Sequence, residues 1–80
     1  MFDYTISREA SNTAFKKACA TIETNIMGLH KNELLIDVDG TLIQIYRLEN
    51  KKIKIINDYE VDAVYVESEV NLETLFTNEL

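Results

Sequence analysis

Apolar and polar residues follow two different periods along this chain of 80 residues. In the first third, apolar residues recur three and four positions apart, which predicts one face of an α-helix. The positions on this face are Ala14, Phe15, Ala18, Cys19, Ile22 and Ile26. We predict that Ser7 is the N-cap of this helix and that Gly28 ends it in the left-handed conformation.

After Gly28 the period changes to two, which is the period of a β-strand. The predicted strands cover residues 33–38, 41–48, 52–57 and 60–67. Because the connections between them are short, the strands are expected to form an antiparallel meander. The alternating residues Phe2, Tyr4 and Ile6 permit a short strand or an ordered arm, and Asn71 is predicted to cap a short last helix.

Asp39-Gly40 is the strongest turn signal in the chain, because Asp-Gly favours the two-residue type I′ loop of a β-hairpin. This loop pairs Val38 with Thr41. The pairing predicts one apolar face, to be covered by the helix, that consists of Leu34, Ile36, Val38, Ile43 and Ile45. A second face carries Leu35, Leu42, Tyr46 and Leu48. An apolar second face on a small protein predicts self-association, most simply as a homodimer.

These elements predict an α+β fold with a single domain over residues 1–80. An N-terminal helix should pack on an antiparallel β-meander of about four strands, followed by a short C-terminal helix. Apolar residues make up 46% of the chain, which is enough for a core. No run of 18 apolar residues occurs, and the basic and apolar regions of a signal peptide are missing, so we expect no membrane contact and a cytoplasmic location.

Charge is distributed unevenly along the chain, which has a net charge of −6. Residues 55–80 contain no Lys or Arg, and their acidic residues are Asp58, Glu60, Asp62, Glu67, Glu69, Glu73 and Glu79. This segment should repel nucleic acid and attract a protein partner with a basic surface. Cys19 and His30 are each the only residue of their type, so we predict no zinc site and no cofactor.

The string from Leu34 to Ile43 contains Asp-Val-Asp-Gly-Thr and resembles the first motif of the haloacid dehalogenase superfamily. The resemblance implies a phosphoryl-accepting nucleophile and Mg²⁺ ligand at Asp37 and a general acid/base at Asp39. That family places a turn and a helix after the motif and further catalytic residues on parallel strands, whereas here a strand is predicted after Gly40. We therefore predict a protein that is not an enzyme, and a fragment of such a phosphatase is the remote alternative.

Carboxylates and tyrosines interleave in the acidic segment, in a pattern suited to binding a basic protein surface. The predicted partner-binding residues are Asp58, Tyr59, Glu60, Asp62, Tyr65, Glu67 and Glu69. In size, charge and lack of catalytic apparatus, the chain is similar to the DNA-mimicking inhibitors of phages and mobile elements, such as anti-CRISPR proteins or antitoxins. The alternative is a homo-oligomeric accessory domain whose acidic surface only provides solvation. Five carboxylates near the predicted turns (Asp37, Asp39, Asp58, Glu60 and Asp62) have no spacing that defines a cation site, so no metal is predicted.

Overall fold

The computed structural model describes residues 1–76, which form one five-stranded antiparallel sheet and two helices. The elements are β1 (Phe2–Ser7), α1 (Asn12–Asn25), β2 (His30–Ile36), β3 (Leu42–Leu48), β4 (Lys51–Asp58), β5 (Ala63–Ser68) and α2 (Glu73–Phe76). The predicted α+β class, with an antiparallel sheet and two helices, is confirmed. Residues 77–80, which include Glu79, lie outside the described part of the chain.

The N-terminal segment forms a full strand, so the predicted count of about four strands is wrong. The strand order is β1-β5-β4-β3-β2, which places α1 between the first two strands in sequence rather than ahead of the sheet. Tyr4 pairs with Val66 of β5, and a bulge between Thr5 and Ser7 ends the regular pairing. The alternation of polar and apolar residues in this segment permits a strand, but a local pattern does not identify a partner strand that lies far away in sequence.

The helix α1 begins four residues later than predicted. Ser11 is its N-cap, and the Oγ of Ser11 accepts a hydrogen bond from the backbone N–H of Ala14 at 3.1 Å. Ser7 belongs to β1 instead, where its hydroxyl donates to the carbonyl of Glu9. Gly28 has a φ of +76°, as its predicted left-handed conformation requires, although it lies in the connection after the helix.

The loop between β2 and β3 has three residues rather than the predicted two. Asp37 donates its N–H to the carbonyl of Thr41 at 2.9 Å, and Gly40 donates to the carbonyl of Asp37 at 3.0 Å. Gly40 has a φ of +91°, which confirms the predicted positive φ. A turn followed by a left-handed Gly is the usual three-residue hairpin loop with a bulge. The extra loop residue shifts the strand pairing by one position, so Leu35 pairs with Ile43.

This shift reverses the predicted faces of β3, because a one-residue slip sends each side chain to the opposite face. Tyr46 lies in the core with no exposed surface. The predicted core residues Leu34, Ile36 and Val38 are 40%, 68% and 103% exposed. The predicted second face is therefore wrong as a group. Of its members, only Leu35 faces away from α1, whereas Leu42, Tyr46 and Leu48 share the face that α1 covers.

The core lies between α1, α2 and one face of the sheet, which we call the covered face. Its fully buried members on the sheet are Tyr46, Ile53, Ile55, Val64 and Val66. From α1 and α2 it receives Phe15, Ala18, Ile22, Leu72 and Phe76. The buried side chain of Asn57 accepts a hydrogen bond from the N–H of Ser11 and donates to Oδ1 of Asn12, both at 3.0 Å. None of the helices described in residues 1–76 is long and apolar enough to cross a membrane.

Candidate functional site

The sheet face that points away from α1, which we call the open face, carries a row of apolar side chains. Leu35 pairs with Ile43, Ile43 with Ile56, and Ile56 with Tyr65. Because paired residues of antiparallel strands project to the same side, these four side chains form a line across four strands. We call this line the apolar row. It brings together residues that are distant in sequence, on the side of the sheet opposite to the helices.

Four carboxylates lie beside the apolar row, at the end of the sheet where β3 begins and β4 ends. Asp37 and Asp39 come from the β2–β3 loop, and Asp58 and Glu60 come from the end of β4 and the connection to β5. All four line one concavity of about 230 Å³, together with Ile56, other side chains of the open face and the ion-paired Lys54 and Glu67. We call these four residues the acidic site. These four residues and Asp62 are the five carboxylates that lie near the turns predicted from the sequence. The structure brings four of the five together.

The two loops that form the acidic site are hydrogen-bonded to each other. Asp39 accepts the N–H of Thr41 at 2.9 Å, and the hydroxyl oxygen of Thr41 accepts the N–H of Tyr59 at 3.2 Å. The hydrogen bond from the backbone of Thr41 lowers the pKa of the Asp39 carboxyl, which therefore stays charged. Gly40 faces the ring of Tyr59, so a Cβ at this position would lie 3.6 Å from the ring. The spacing between the carboxylates of the two loops is set by these contacts.

Asp58 is held by its own connection. Its Oδ1 accepts the N–H groups of Glu60 and Val61, and its Oδ2 accepts the hydroxyl of Tyr65 at 3.1 Å. Burial, and then the bond to Asp58, raises the pKa of Tyr65 to about 12, so the phenol stays protonated and donates. Asp58 thus orders the turn and places negative charge at the surface. It lies beside Glu60, whose side chain is exposed.

The predicted partner-binding residues do not form one surface. Asp58, Glu60, Tyr65 and Glu67 line the same concavity, whereas Tyr59, which is 44% exposed, donates its hydroxyl to Oδ1 of Asn12 in α1. Asp62, with a φ of +59°, instead accepts the N–H of Ala10 at 2.8 Å. Glu69 accepts the N–H of Lys52 at 2.8 Å, at the other end of the strands. Asp62 and Glu69 therefore stabilise the fold. Asp37 and Asp39, which were not among the predicted partner-binding residues, line the concavity with Asp58 and Glu60 instead.

The acidic site does not have the geometry of a metal centre. Among residues 1–76, no group of three or more His, Cys, Asp or Glu side chains is arranged to hold a metal ion. Hard cations require several oxygen ligands that converge on one point. In the acidic site, Asp39 and Asp58 direct oxygens toward backbone N–H groups instead. Carboxylates in general can accept hydrogen bonds from cationic side chains.

A second polar cluster lies where α1 meets β3. The hydroxyl of Tyr46 donates to Oε2 of Glu23 at 2.6 Å, and Nζ of Lys31 lies 2.9 Å from the same oxygen. These bonds, first that of Tyr46, lower the pKa of Glu23, whereas burial raises the pKa of Tyr46 far above its usual range. Burial also raises the pKa of the nearby Cys19 thiol, which disfavours the reactive thiolate. We assign this cluster a structural role.

The phosphatase-like string does not have the structural context of the family that it resembles. Asp37 and Asp39 lie in a hairpin loop, and Thr41 leads directly into β3. All four strand pairings in the described sheet are antiparallel. The resemblance is therefore confined to about ten residues of sequence.

Comparisons of the chain with protein-family models, with curated proteins and with solved structures found no match.

Proposed function

We propose that this protein is a non-catalytic protein-binding protein whose acidic site binds a basic surface of a partner. The observation that supports the proposal is the meeting of two separate loops, which brings Asp37, Asp39, Asp58 and Glu60 to one concavity. Such a cluster attracts Lys and Arg side chains and accelerates their encounter with the site. No cofactor or metal is part of the proposal.

Exposed apolar residues beside the acidic site favour a protein as the partner. Val38, at the tip of the β2–β3 loop, is 103% exposed, and Val61, which follows Glu60, is 63% exposed. Exposed aliphatic residues next to charge are typical of protein-binding surfaces, where apolar contacts add affinity to electrostatic attraction. Tyr59, whose ring lies against Gly40 of the β2–β3 loop, is 44% exposed and supplies aromatic contact area at low entropic cost.

In its finer form, the proposal is that the acidic site occupies a surface on which the partner would otherwise bind nucleic-acid phosphates. Carboxylates on two loops can take the places of phosphates, because both are anions that accept bonds from Lys and Arg. The net charge of −6 supports this form by disfavouring direct binding of nucleic acid. The protein would then be an inhibitor of the anti-CRISPR-like or antitoxin-like kind that phages and mobile elements encode, acting in the cytoplasm.

Titration with a defined lysine-rich peptide tests whether the acidic site is a specific cation-binding surface. The double variant Asp39→Asn with Glu60→Gln removes two charges, and the Asn oxygen can still accept the N–H of Thr41. We expect its affinity for the peptide to fall about tenfold, and the affinity of the native chain to fall with added salt.

The matched control is Asp3→Asn with Glu9→Gln, which removes the same charge from exposed positions outside the acidic site. It should weaken peptide binding less than about twofold. An equal loss in both double variants would show that binding follows net charge alone, and would refute the acidic site.

A competition experiment tests the nucleic-acid mimicry. Proteins captured on the immobilised chain from a lysate of its native host should be released by duplex DNA at constant ionic strength, since both bind the same cationic groups. A captured protein can depend on the acidic site, so that the Asp39→Asn with Glu60→Gln variant does not capture it, and yet not be released by DNA. That result would refute the mimicry and would still support the binding of a protein partner by the acidic site.

A further inference from the structure

The open face changes in charge from one end of its strands to the other. The acidic site lies at the end where β3 begins, and the apolar row comes next. The following row pairs Ile45 with Lys54 and Lys54 with Glu67, and the last two form an ion pair of 3.6 Å. The far end, which we call the basic row, consists of His30, Arg47 and Lys52, also paired across strands, and Glu69, just after β5, lies beside Lys52.

We infer that the open face binds the open face of a second copy, with the strands of the two copies running in opposite directions. In this arrangement the acidic site of each copy lies over the basic row of the other. Ile45 of each copy packs against the other's apolar row. The two sheets form a sandwich, about 10 Å apart and with strand axes within about 30° of each other.

Two-fold symmetry makes a second copy the occupant that fits this charge gradient. In a symmetric dimer the same patch occurs on both sides, so it must complement itself after a rotation of 180°. Reversing the strands places Asp58 and Glu60 opposite Arg47 and Lys52, whereas a parallel stacking would place like charges together. The charge gradient complements itself only when the strands are reversed. It therefore favours a second copy as the partner and determines the orientation of that copy.

Burial and size are consistent with such an interface. The core draws α1 and α2 to the covered face, and Leu35 on the open face is 47% exposed. Ile43 and Ile45 are partly exposed, whereas Ile56 is already 5% exposed, so contact with a partner removes most water from the first three. The long extents of the molecule, 31 and 29 Å, allow the roughly 800 Å² per partner that a standard interface buries.

This dimer uses a surface that the proposed function also uses, although it does not depend on that function. Because the acidic site lies over the partner copy's basic row, self-association and binding of a basic protein exclude each other. A saturating lysine-rich peptide should therefore shift the dimer toward a peptide-bound monomer. This effect requires both proposals to be correct, whereas the experiments that follow test the dimer alone.

Molar mass in solution tests the dimer. The native chain at about 200 µM should have twice its monomer mass of 9.2 kDa by light scattering or sedimentation. Ile45→Lys places a charge in the centre of the open face and should give a monomer that retains the native circular dichroism spectrum. The matched control is Leu34→Lys, at a residue that is 40% exposed on the other side of β2; this variant should remain a dimer.

A native chain that is monomeric at this concentration would refute the dimer. So would an Ile45→Lys variant that remains dimeric. Loss of the dimer in Leu34→Lys alone would refute the open face and indicate pairing along the β2 edge. Peptide binding by monomeric Ile45→Lys would still support the proposed function, so the failure of either proposal can be recognised separately.

A charge exchange tests the orientation. Arg47→Glu and Glu60→Arg should each weaken dimerisation about tenfold, because each places like charges opposite each other. The double variant should return to within about threefold of the native affinity, because the exchanged charges meet again across the two-fold axis. Losses that add in the double variant would refute the antiparallel stacking.

Discussion

The covered and open faces of the sheet are both rich in isoleucine, but they are buried to different degrees. On the covered face, Ile53 and Ile55 have no exposed surface and contact the core. On the open face, Ile43 and Ile45 remain partly exposed beside Lys54. Both faces of β3 and β4 thus carry large aliphatic side chains. The apolar content of a strand therefore does not reveal which face carries the core, and the loops and the packing of α1 make the difference.

Replacing matched isoleucines is the strongest test of this comparison. Ile55→Ala should lower the free energy of unfolding by about 3 kcal/mol, because it leaves a cavity in the core. Ile45→Ala, on the neighbouring strand and the open face, should cost less than about 1.5 kcal/mol. Denaturant unfolding at low micromolar concentration measures both, since association then contributes little. Equal losses would mean that the open face is as well covered as the other.

The loop that sets the orientation of β3 offers the second test. Gly40→Val forces a β-branched residue into a φ of +91° and brings its Cβ against the ring of Tyr59. We expect a loss of about 1–2 kcal/mol in the free energy of unfolding. Gly40→Asn should lose less, because Asn tolerates positive φ better than other residues. A neutral Gly40→Val would contradict the three-residue loop.

The third and smallest expected effect concerns Glu23, whose Oε2 accepts a hydrogen bond from the hydroxyl of Tyr46 on the covered face. The folded-state pKa of Glu23 is lowered, so its stabilisation is complete above the pKa of the unfolded chain and disappears as pH falls through the folded pKa. Glu23→Gln should therefore cost about 0.5 kcal/mol near neutral pH and nothing in strong acid, since the group is partly exposed. Unfolding measured against pH tests this.

The companion variant Tyr46→Phe removes the hydrogen bond that lowers the pKa of Glu23 most. It should abolish most of the same pH-dependent part of the stability. The free energies of unfolding of Glu23→Gln and of the native chain can be compared from acid to neutral pH. If their difference stays constant, Tyr46 and Lys31 do not act through the charge of Glu23.

Local signals in the sequence predicted the fold class and most elements. The helical spacing of Phe15, Ala18 and Ile22 identified the buried side of α1, and all three are buried. The positive φ of Gly40 and the strand after it were also correct. These features depend on residues that are close together in the chain, where propensity and turn chemistry act directly.

The faces and the candidate site depend on contacts that the sequence does not display. Asp-Gly suits a two-residue loop and also ends a three-residue one, and β3 is apolar on both faces, so the pattern did not distinguish the two registers. The acidic site needs Asp39 and Glu60 to meet across the bond from Tyr59 to Thr41. The polar role of Asp62 likewise depends on Ala10, which is remote in sequence.

The position of β1 beside β5 also determines the order in which the chain can assemble. The strands from β2 to β5 are joined by short connections and pair with their neighbours in sequence. Among the described strands, β1 precedes all the others in sequence, and its partner β5 is the last of them. Closing a loop of this length costs more entropy than forming a hairpin, and contacts between distant residues slow folding. β1 can therefore join the sheet only after the segment from α1 to β5 has been made.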